Sequence, residues 1–547
     1  MITDLLATVA PGTPLLAVMV LLHPRVSSRA AAPTALAGAG LSLAALVALL
    51  VLAPAAGLPA LGGLLYVQWP GLLVALLAAV IAVLVVAFAD RALAGDARPA
   101  RFARLASLLT AATITLALAG HLVVLAAAWI AVGLAVVALL AHRPSAAAHQ
   151  AVRRTRATFL LGDGALVLAA VLTMGVAGGV SWRGDPGAAV AALAAVPVLS
   201  GGVPVLGAVS LVEVVAVLLV VAAMSRSALV PLHRWLPSTL AAPTPVSALL
   251  HAGVVNGAGV LLLALAPVLG AAPVATALAF AAGMVTLLMA MGVMLVRADV
   301  KGGLAWSTAG QMGFMVVQIS IGALGAALFH LLGHGLYKAA AFLGAGDAIS
   351  AHARSRHRPV PTVHGLTRAH RLAVIAAPTV GLALAWWVLS PGFSPAKTLL
   401  FATVAWLLTA HLVSGWLRVL SLGTAAGVRV ALVGGPVVAG GYLAAVVGFE
   451  RVLGASLPTL GSGAVGVVPL AVVLGGVALL GGLVVAVPED HVLRIRLHAV
   501  ATGLGVRPLP VPLLAAADPV PVEVAGVTAS PPARLPIPFA LASEVSR

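Results

Sequence analysis

Residues 228–258 read ALVPLHRWLPSTLAAPTPVSALLHAGVVNGA. The stretch holds Pro231, Pro237, Pro243 and Pro245, the triplet His233, Arg234 and Trp235, and a further histidine, His251. On both sides the chain runs for long distances in Leu, Val, Ala and Gly. A proline inside a helix removes an amide donor and collides with the preceding turn, so an apolar helix running through Arg226 must break near Pro231. In hydrocarbon, a freed backbone group is tolerated only where protein or a water-filled cavity satisfies it. A broken helix beside ionisable groups therefore predicts an internal polar path, provided the surrounding chain lies in a membrane.

The composition says that it does. The chain has 547 residues, 62% of them hydrophobic and 8% charged, whereas soluble domains are about a quarter charged. Apolar runs of about 20 residues, each long enough to cross the hydrocarbon core as a helix, recur throughout. The dyad alternation of a membrane barrel is missing. The predicted fold class is an all-α polytopic membrane protein with about fifteen transmembrane helices. There is no cysteine, which excludes disulfides and thiolate-held zinc or iron–sulfur centres in this chain. No metal ligand set and no cofactor are expected. The N-terminal segment MITDLLATVAPGTP has no basic start and carries Asp4, unlike a cleaved signal peptide.

A net charge of +16 could suggest nucleic acid in a soluble protein. Here the basic residues cluster in alternate connections, at Arg25 and Arg29, at Arg91 to Arg104, at Arg143 to Arg156, at Arg297 and Lys301, and at Arg354 to Arg371. That is the positive-inside pattern. It predicts a multi-pass protein of the cell membrane with its N-terminus outside and its C-terminus in the cytoplasm, and no nucleic-acid partner. The Pro-rich residues 491–547 are expected to form a cytoplasmic tail.

A second Pro-marked break, at Pro391 and Pro395 in LSPGFSPAK, lies five spans after the first at Pro231 and Pro237. Paired discontinuous helices point to inverted repeats with an ion path at the breaks. The expected division is 1–100 for N-terminal helices, 101–270 and 271–420 for two inverted five-helix repeats, and 421–490 for C-terminal helices.

Ionisable groups inside spans are functional candidates. In FHLLGHGLYKAAAF, His330, His334 and Lys338 recur every four residues, so they share one helix face over about 12 Å. Imidazoles titrate near neutral pH, which suits a proton path. His251 follows the first break, and Asn256 lies one turn further on. Arg226 sits near the end of the seventh span; it can fix charge but cannot give up its proton. Glu213, thirteen residues earlier, is about 20 Å away along the same helix and cannot be its partner. Asp163 is the single acid of the sixth span and needs a partner that the sequence does not identify. Gln311 lies inside a span, and Lys397 follows the second break.

The segments SALVPLHRWLPSTLAAPTPVSALLHAG, ADVKGGLAWSTAGQMGF and FHLLGHGLYKAAAFL together resemble the proton-conducting antiporter-like family, which includes subunit L of respiratory complex I and the large Mrp cation/proton antiporter subunit. The wording SALLHAGVVNGAG resembles the inorganic-carbon branch, the membrane subunits of DAB-type transporters. The resemblance implies an antiporter-like fold. It also implies a cation-conducting, chiefly proton-conducting, subunit that couples an ion gradient to a soluble DabA-like partner carrying zinc in a carbonic-anhydrase-type site. The alternative within the family is a proton-translocating component of an NADH-quinone oxidoreductase or an Mrp-type antiporter. The chain departs from the family pattern at several positions. Ile130 stands where the family carries a glutamate in the fifth span, Arg226 replaces a lysine, Leu160 replaces an arginine, and Lys397 is two residues out of register with the second-repeat lysine. Where complex I subunit L continues into a long lateral helix, the Pro-rich tail is expected instead.

Overall fold

The computed structural model describes residues 2–23, 27–54, 57–178, 186–203, 207–297, 299–347, 368–389, 392–419, 424–454, 456–458, 460 and 464–486. Pro391 and the expected tail of residues 491–547 lie outside them. The chain is built from helices: α1 (Ile2–Leu22), α2 (Ala31–Leu52), α3 (Trp69–Ala92), α4 (Pro99–Leu118), α5 (Leu122–Leu140) and α6 (Ala146–Ala177). There follow α7 (Pro186–Ala194), α8 (Leu211–Arg226), α9 (Thr244–Ala252), α10 (Gly257–Ala264), α11 (Ala266–Gly270) and α12 (Pro273–Val296). The last are α13 (Val300–Ser320), α14 (Leu324–Leu343), α15 (Arg368–Leu389), α16 (Pro395–Val419), α17 (Thr424–Leu453) and α18 (Val467–Ala486). Two short antiparallel hairpins, β1 (Leu58–Ala60) with β2 (Leu65–Val67) and β3 (Pro197–Val203) with β4 (Gly207–Ser210), join helix ends.

Among the described residues, ten helices are long and apolar enough to cross a membrane, against the fifteen or so spans expected. Polar content and breaks account for part of the difference. α8 stops after 16 residues at the proline break, while α13 and α14 carry the glutamines, histidines and lysine of the candidate path. The eighth expected span is also bent. α9 ends at Ala252, a 3-10 turn covers Val254–Asn256, and α10 resumes at Gly257. Asn256 Nδ2 donates to Ala252 O at 2.8 Å, so a side-chain amide uses a carbonyl that a continuous helix would give to a backbone amide.

The connections divide between an arginine-rich and an arginine-poor face. On the arginine-rich face, Asp96 clasps the α3–α4 loop to the end of α5. It accepts from Arg143 Nε at 3.0 Å and from the Arg98 amide at 2.9 Å, and His142 Nε2 lies 3.2 Å away. Burial pushes the Asp96 carboxyl up, but the Arg98 amide, Arg143 and His142 outweigh it and hold it below the ordinary carboxylate value. His142 is driven down chiefly by burial, against the opposing pull of Asp96. On the arginine-poor face the acids serve as distant helix caps. Glu213 accepts from Val274 N and Ala275 N at 3.2 Å each, at the start of α12. Glu450 accepts from Ala326 N at 3.2 Å, at the start of α14. Asp4 accepts from Leu61 N at 3.1 Å. Each places negative charge at an N-terminal turn or a free amide.

Candidate ion-conducting site

The first break is held together by internal hydrogen bonds. After Arg226, Ala228 takes a left-handed backbone (φ 53°), and Leu229 N bonds Met224 O at 3.0 Å, the closure that ends many helices. Pro231 precedes a 3-10 segment, Leu232–Ala241, that contains Pro237. Trp235 Nε1 donates to Ser225 O at 2.9 Å, and Val230 N donates to Thr286 Oγ1 at 2.9 Å. Ser227 Oγ donates to Val255 O and accepts from Ala258 N at 2.8 Å, which ties the break in α8 to the bend between α9 and α10. The carbonyls and amides freed by proline thus find protein partners, as a break at membrane depth requires.

The break delivers Arg226 into the protein interior, where it is 1% exposed. Its Nη2 donates to Asp163 Oδ1 at 2.7 Å and to Trp129 O at 3.2 Å. Its Cζ lies 4.1 Å from the Phe159 ring centroid and 4.6 Å from that of Trp129. Asp163, left without a partner by the sequence, is therefore paired across α6 and α8. Two glycines make the slot. A Cβ on Gly133 would fall 2.7 Å from Arg226 Nη1, and one on Gly257 would fall 2.6 Å from its Cγ. The acid is supplied from α6, while Ile130 on α5 stands half-buried.

The second group gathers where α14 meets α13 and α9. His330 is gripped at both ring nitrogens: Nδ1 is 3.0 Å from Gln318 Oε1 and Nε2 is 2.6 Å from Gln311 Oε1. Carbonyl oxygens on both sides would make His330 a double donor, and turning one amide makes the same cradle fit the neutral ring. The cradle thus accepts both protonation states. One turn on, the His334 ring centroid is 6.0 Å from that of His330. His251 is fully buried and stacks on Phe342 with centroids 4.3 Å apart. Lys338, 1% exposed, donates to Leu304 O at 3.2 Å. Among the described residues, both ring nitrogens of His251, His334 Nε2, Asn256 Oδ1, and Arg226 Nε and Nη1 have no hydrogen-bond partner.

His330, His334, Lys338, His251 and Gln311 thus form one cluster, and Arg226 and Asp163 form an adjacent pair. Lys397 lies on α16, beside the α13–α14 turn. It is half-buried in the first turn of α16, which Pro395 opens, and its Cε packs near Gly322. Sequence reasoning missed Gln318, seven residues from Gln311 on α13 and hence on the same face two turns away. Among the described residues, no group of three or more His, Cys, Asp or Glu side chains could hold a metal ion.

The chain is similar to several known membrane proteins. Over 353 residues the chain is 32% identical to the probable inorganic carbon transporter subunit DabB1 of Halothiobacillus neapolitanus, the match covering 60% of each protein. It thus spans about three fifths of that relative's length. It is 34% identical over 274 residues to the chloroplastic NAD(P)H-quinone oxidoreductase subunit 5 of Chlorokybus atmophyticus, covering 49% of this chain and 41% of that one. In fold it superposes on the Mrp complex of Dietzia sp. DQ12-45-1b with a TM-score of 0.53 and 24% identity, over 92% of this chain and 52% of the other. Residues 119–426, more than half of the 547-residue chain, carry both breaks, the Arg226–Asp163 pair and the α13–α14 cluster, and over that stretch the protein belongs to the NADH:quinone oxidoreductase/Mrp antiporter transmembrane family.

Proposed function

We propose that this chain is the cation-conducting membrane subunit of an energy-coupled inorganic carbon transporter. In this reading it sits in the cell membrane with its N-terminus outside, admits protons down their gradient, and drives a soluble DabA-like zinc partner of carbonic-anhydrase type that hydrates CO2 to bicarbonate. Two inverted repeats, residues 101–270 and 271–420, would frame the path. The observation that carries conduction is the cluster of His330, His334, His251 and Lys338, buried or nearly so within helices of an antiporter-like fold. Such groups are costly in a membrane interior and persist where charge must move. The similarity to DabB1 supports carbon uptake as the task. Arg226 keeps its proton, so it sets the local field and the imidazoles relay.

The test is co-expression with the neighbouring DabA-like subunit in a strain lacking carbonic anhydrase. Growth in air is expected with both chains and is lost with His334→Ala. Rescue by the soluble partner alone would refute the requirement for this chain. A second reading, a pump subunit of a quinone-reducing or Mrp-type assembly, draws on the similarity to quinone oxidoreductase subunit 5. Co-purification with redox or Mrp subunits in place of a zinc protein would favour it.

A further inference from the structure

The conduction reading leaves open where the ion meets solvent on the arginine-poor face. We propose that it does so through a vestibule between α3, α4, α10 and α14, and not beside the second helix break.

A cavity of about 260 Å³ opens among helix ends of that face. Gln68 and Gly71 line it at the start of α3, Ala117 at the end of α4, Leu263 near the end of α10, Leu328 in α14, and Ser456 after α17. Gln68 Nε2 donates to Ser456 O at 2.6 Å, which fixes one wall. Directly deeper lies a second cavity of about 20 Å³, bounded by Leu77, Leu331, Trp129, Arg226 and Asn256. That is room for about one water. Val74 and Val260 line both cavities, and Leu328 and Leu331 are successive turns of α14. A single apolar layer therefore separates the vestibule from the small cavity, the arrangement that gates a pore by wetting and dewetting.

The small cavity is equipped for water. Arg226 is 1% and Asn256 2% exposed. Among the described residues, Arg226 Nε and Nη1 are donors without a partner, and Asn256 Oδ1 is an acceptor without one. A buried water needs two to four such partners. From Asn256 the polar track continues. Its amide holds Ala252 O at 2.8 Å, next to His251, which stacks on Phe342 of α14, the helix that also carries His334. Lys338 follows one turn on. Beyond it, on the arginine-rich face, a cavity of about 370 Å³ is bordered by Leu343, Thr244, Lys301 and Arg143. The buried groups Asn256, His251, His334 and Lys338 thus lie between cavities at the two faces.

Beside the second break the described residues line a much smaller cavity. The cavity there, about 20 Å³, is lined by Leu382, Trp386, Phe393, Phe401, Leu443 and Thr398, with no ionisable group. Lys397 lies in the first turn of α16, with its Cε near Gly322.

The chain contains no cysteine, so single cysteines can be read without background. Leu263→Cys, Leu328→Cys, Leu331→Cys and Phe401→Cys are reconstituted with the partner subunit in vesicles, and a charged, membrane-impermeant methanethiosulfonate is added from the arginine-poor side. Modification is read by mass and cation flux by a pH-sensitive dye. Leu263→Cys and Leu328→Cys should label, and the bulky adduct should lower flux by about tenfold or more by occluding the narrow mouth. Leu331→Cys should label only when combined with Val260→Ala. Labelling at Phe401→Cys that blocks flux, or labelling at Leu263→Cys and Leu328→Cys that leaves flux unchanged, would overturn the proposal. Failure of Leu263→Cys and Leu328→Cys to label in conducting vesicles overturns it alone, whereas unmodified vesicles that pass no cation under any gradient refute the conduction reading and the outlet with it.

Discussion

Arg226 and Asp163 should behave as one unit whose halves are unequal. In Asp163→Leu, Arg226 remains 1% exposed and cannot shed its proton. Removing one partner of a buried pair costs about 3–5 kcal/mol. The contacts of Arg226 with Trp129 O, at 3.2 Å, and with the Phe159 ring, at 4.1 Å, survive the substitution, so the lower end, about 3 kcal/mol, is expected. Arg226→Leu leaves Asp163, 15% exposed at its side chain, which can take up a proton and become neutral. About 1–3 kcal/mol is expected there, the cost of one unsatisfied buried polar group. The double variant removes both charges and should lie within about 1 kcal/mol of the parent. The coupling is then at least about 3 kcal/mol, or roughly a 150-fold change in the unfolding equilibrium. The assay is a denaturant titration of the four purified proteins in one detergent, followed by tryptophan fluorescence. Additive losses in the double variant, or an Asp163→Leu milder than Arg226→Leu, would refute the reasoning.

Three further outcomes follow from particular contacts. Gly257→Val pushes a side chain into Arg226 Cγ, 2.6 Å from the new Cβ, and should cost about 1–3 kcal/mol in the same titration; Gly164→Ala, with nothing within 4 Å, should stabilise by about 0.5–1 kcal/mol. Glu450→Ala should cost about 0.5–2 kcal/mol by uncapping α14, measured against an Arg451→Ala control. Asp96 and His142 both have folded values below their ordinary 3.8 and 6.5, so each lends stability that is present above its unfolded value and lost as pH falls through its folded one. The melting temperature should therefore drop between pH 7.5 and 5, and His142→Gln should flatten that drop; an unchanged slope would remove His142 as its source.

The membrane class was legible because hydropathy and loop charge are sums over many residues. So was the first break, because proline acts locally. The shared face of His330, His334 and Lys338 followed from helical periodicity alone. The Arg226–Asp163 pair was not legible: its members are separated by 63 residues on different helices, and nothing in local spacing encodes which helices become neighbours. The bend at Gly253–Asn256 was hidden for a related reason. The apolar run continues through it, and only the folded environment lets the Asn256 amide take Ala252 O from the helix. Glu213 stands in the first turn of α8, and nothing local to it foretells that its carboxylate bonds the start of α12, 61 residues on. Lys397 stands where the sequence put it, in the first turn of α16 near the expected break.

The helix caps on the arginine-poor face bear on how fast ions arrive. Asp4, Glu213 and Glu450 each direct a carboxylate oxygen at a backbone amide of another segment. Carboxylates engaged in this way sit against the partial positive charge of the helix ends and amides they accept from, which offsets part of the field they would otherwise direct at cations in solution. Diffusional capture at that mouth should then gain little from electrostatic steering, and its rate should change little between low and physiological salt.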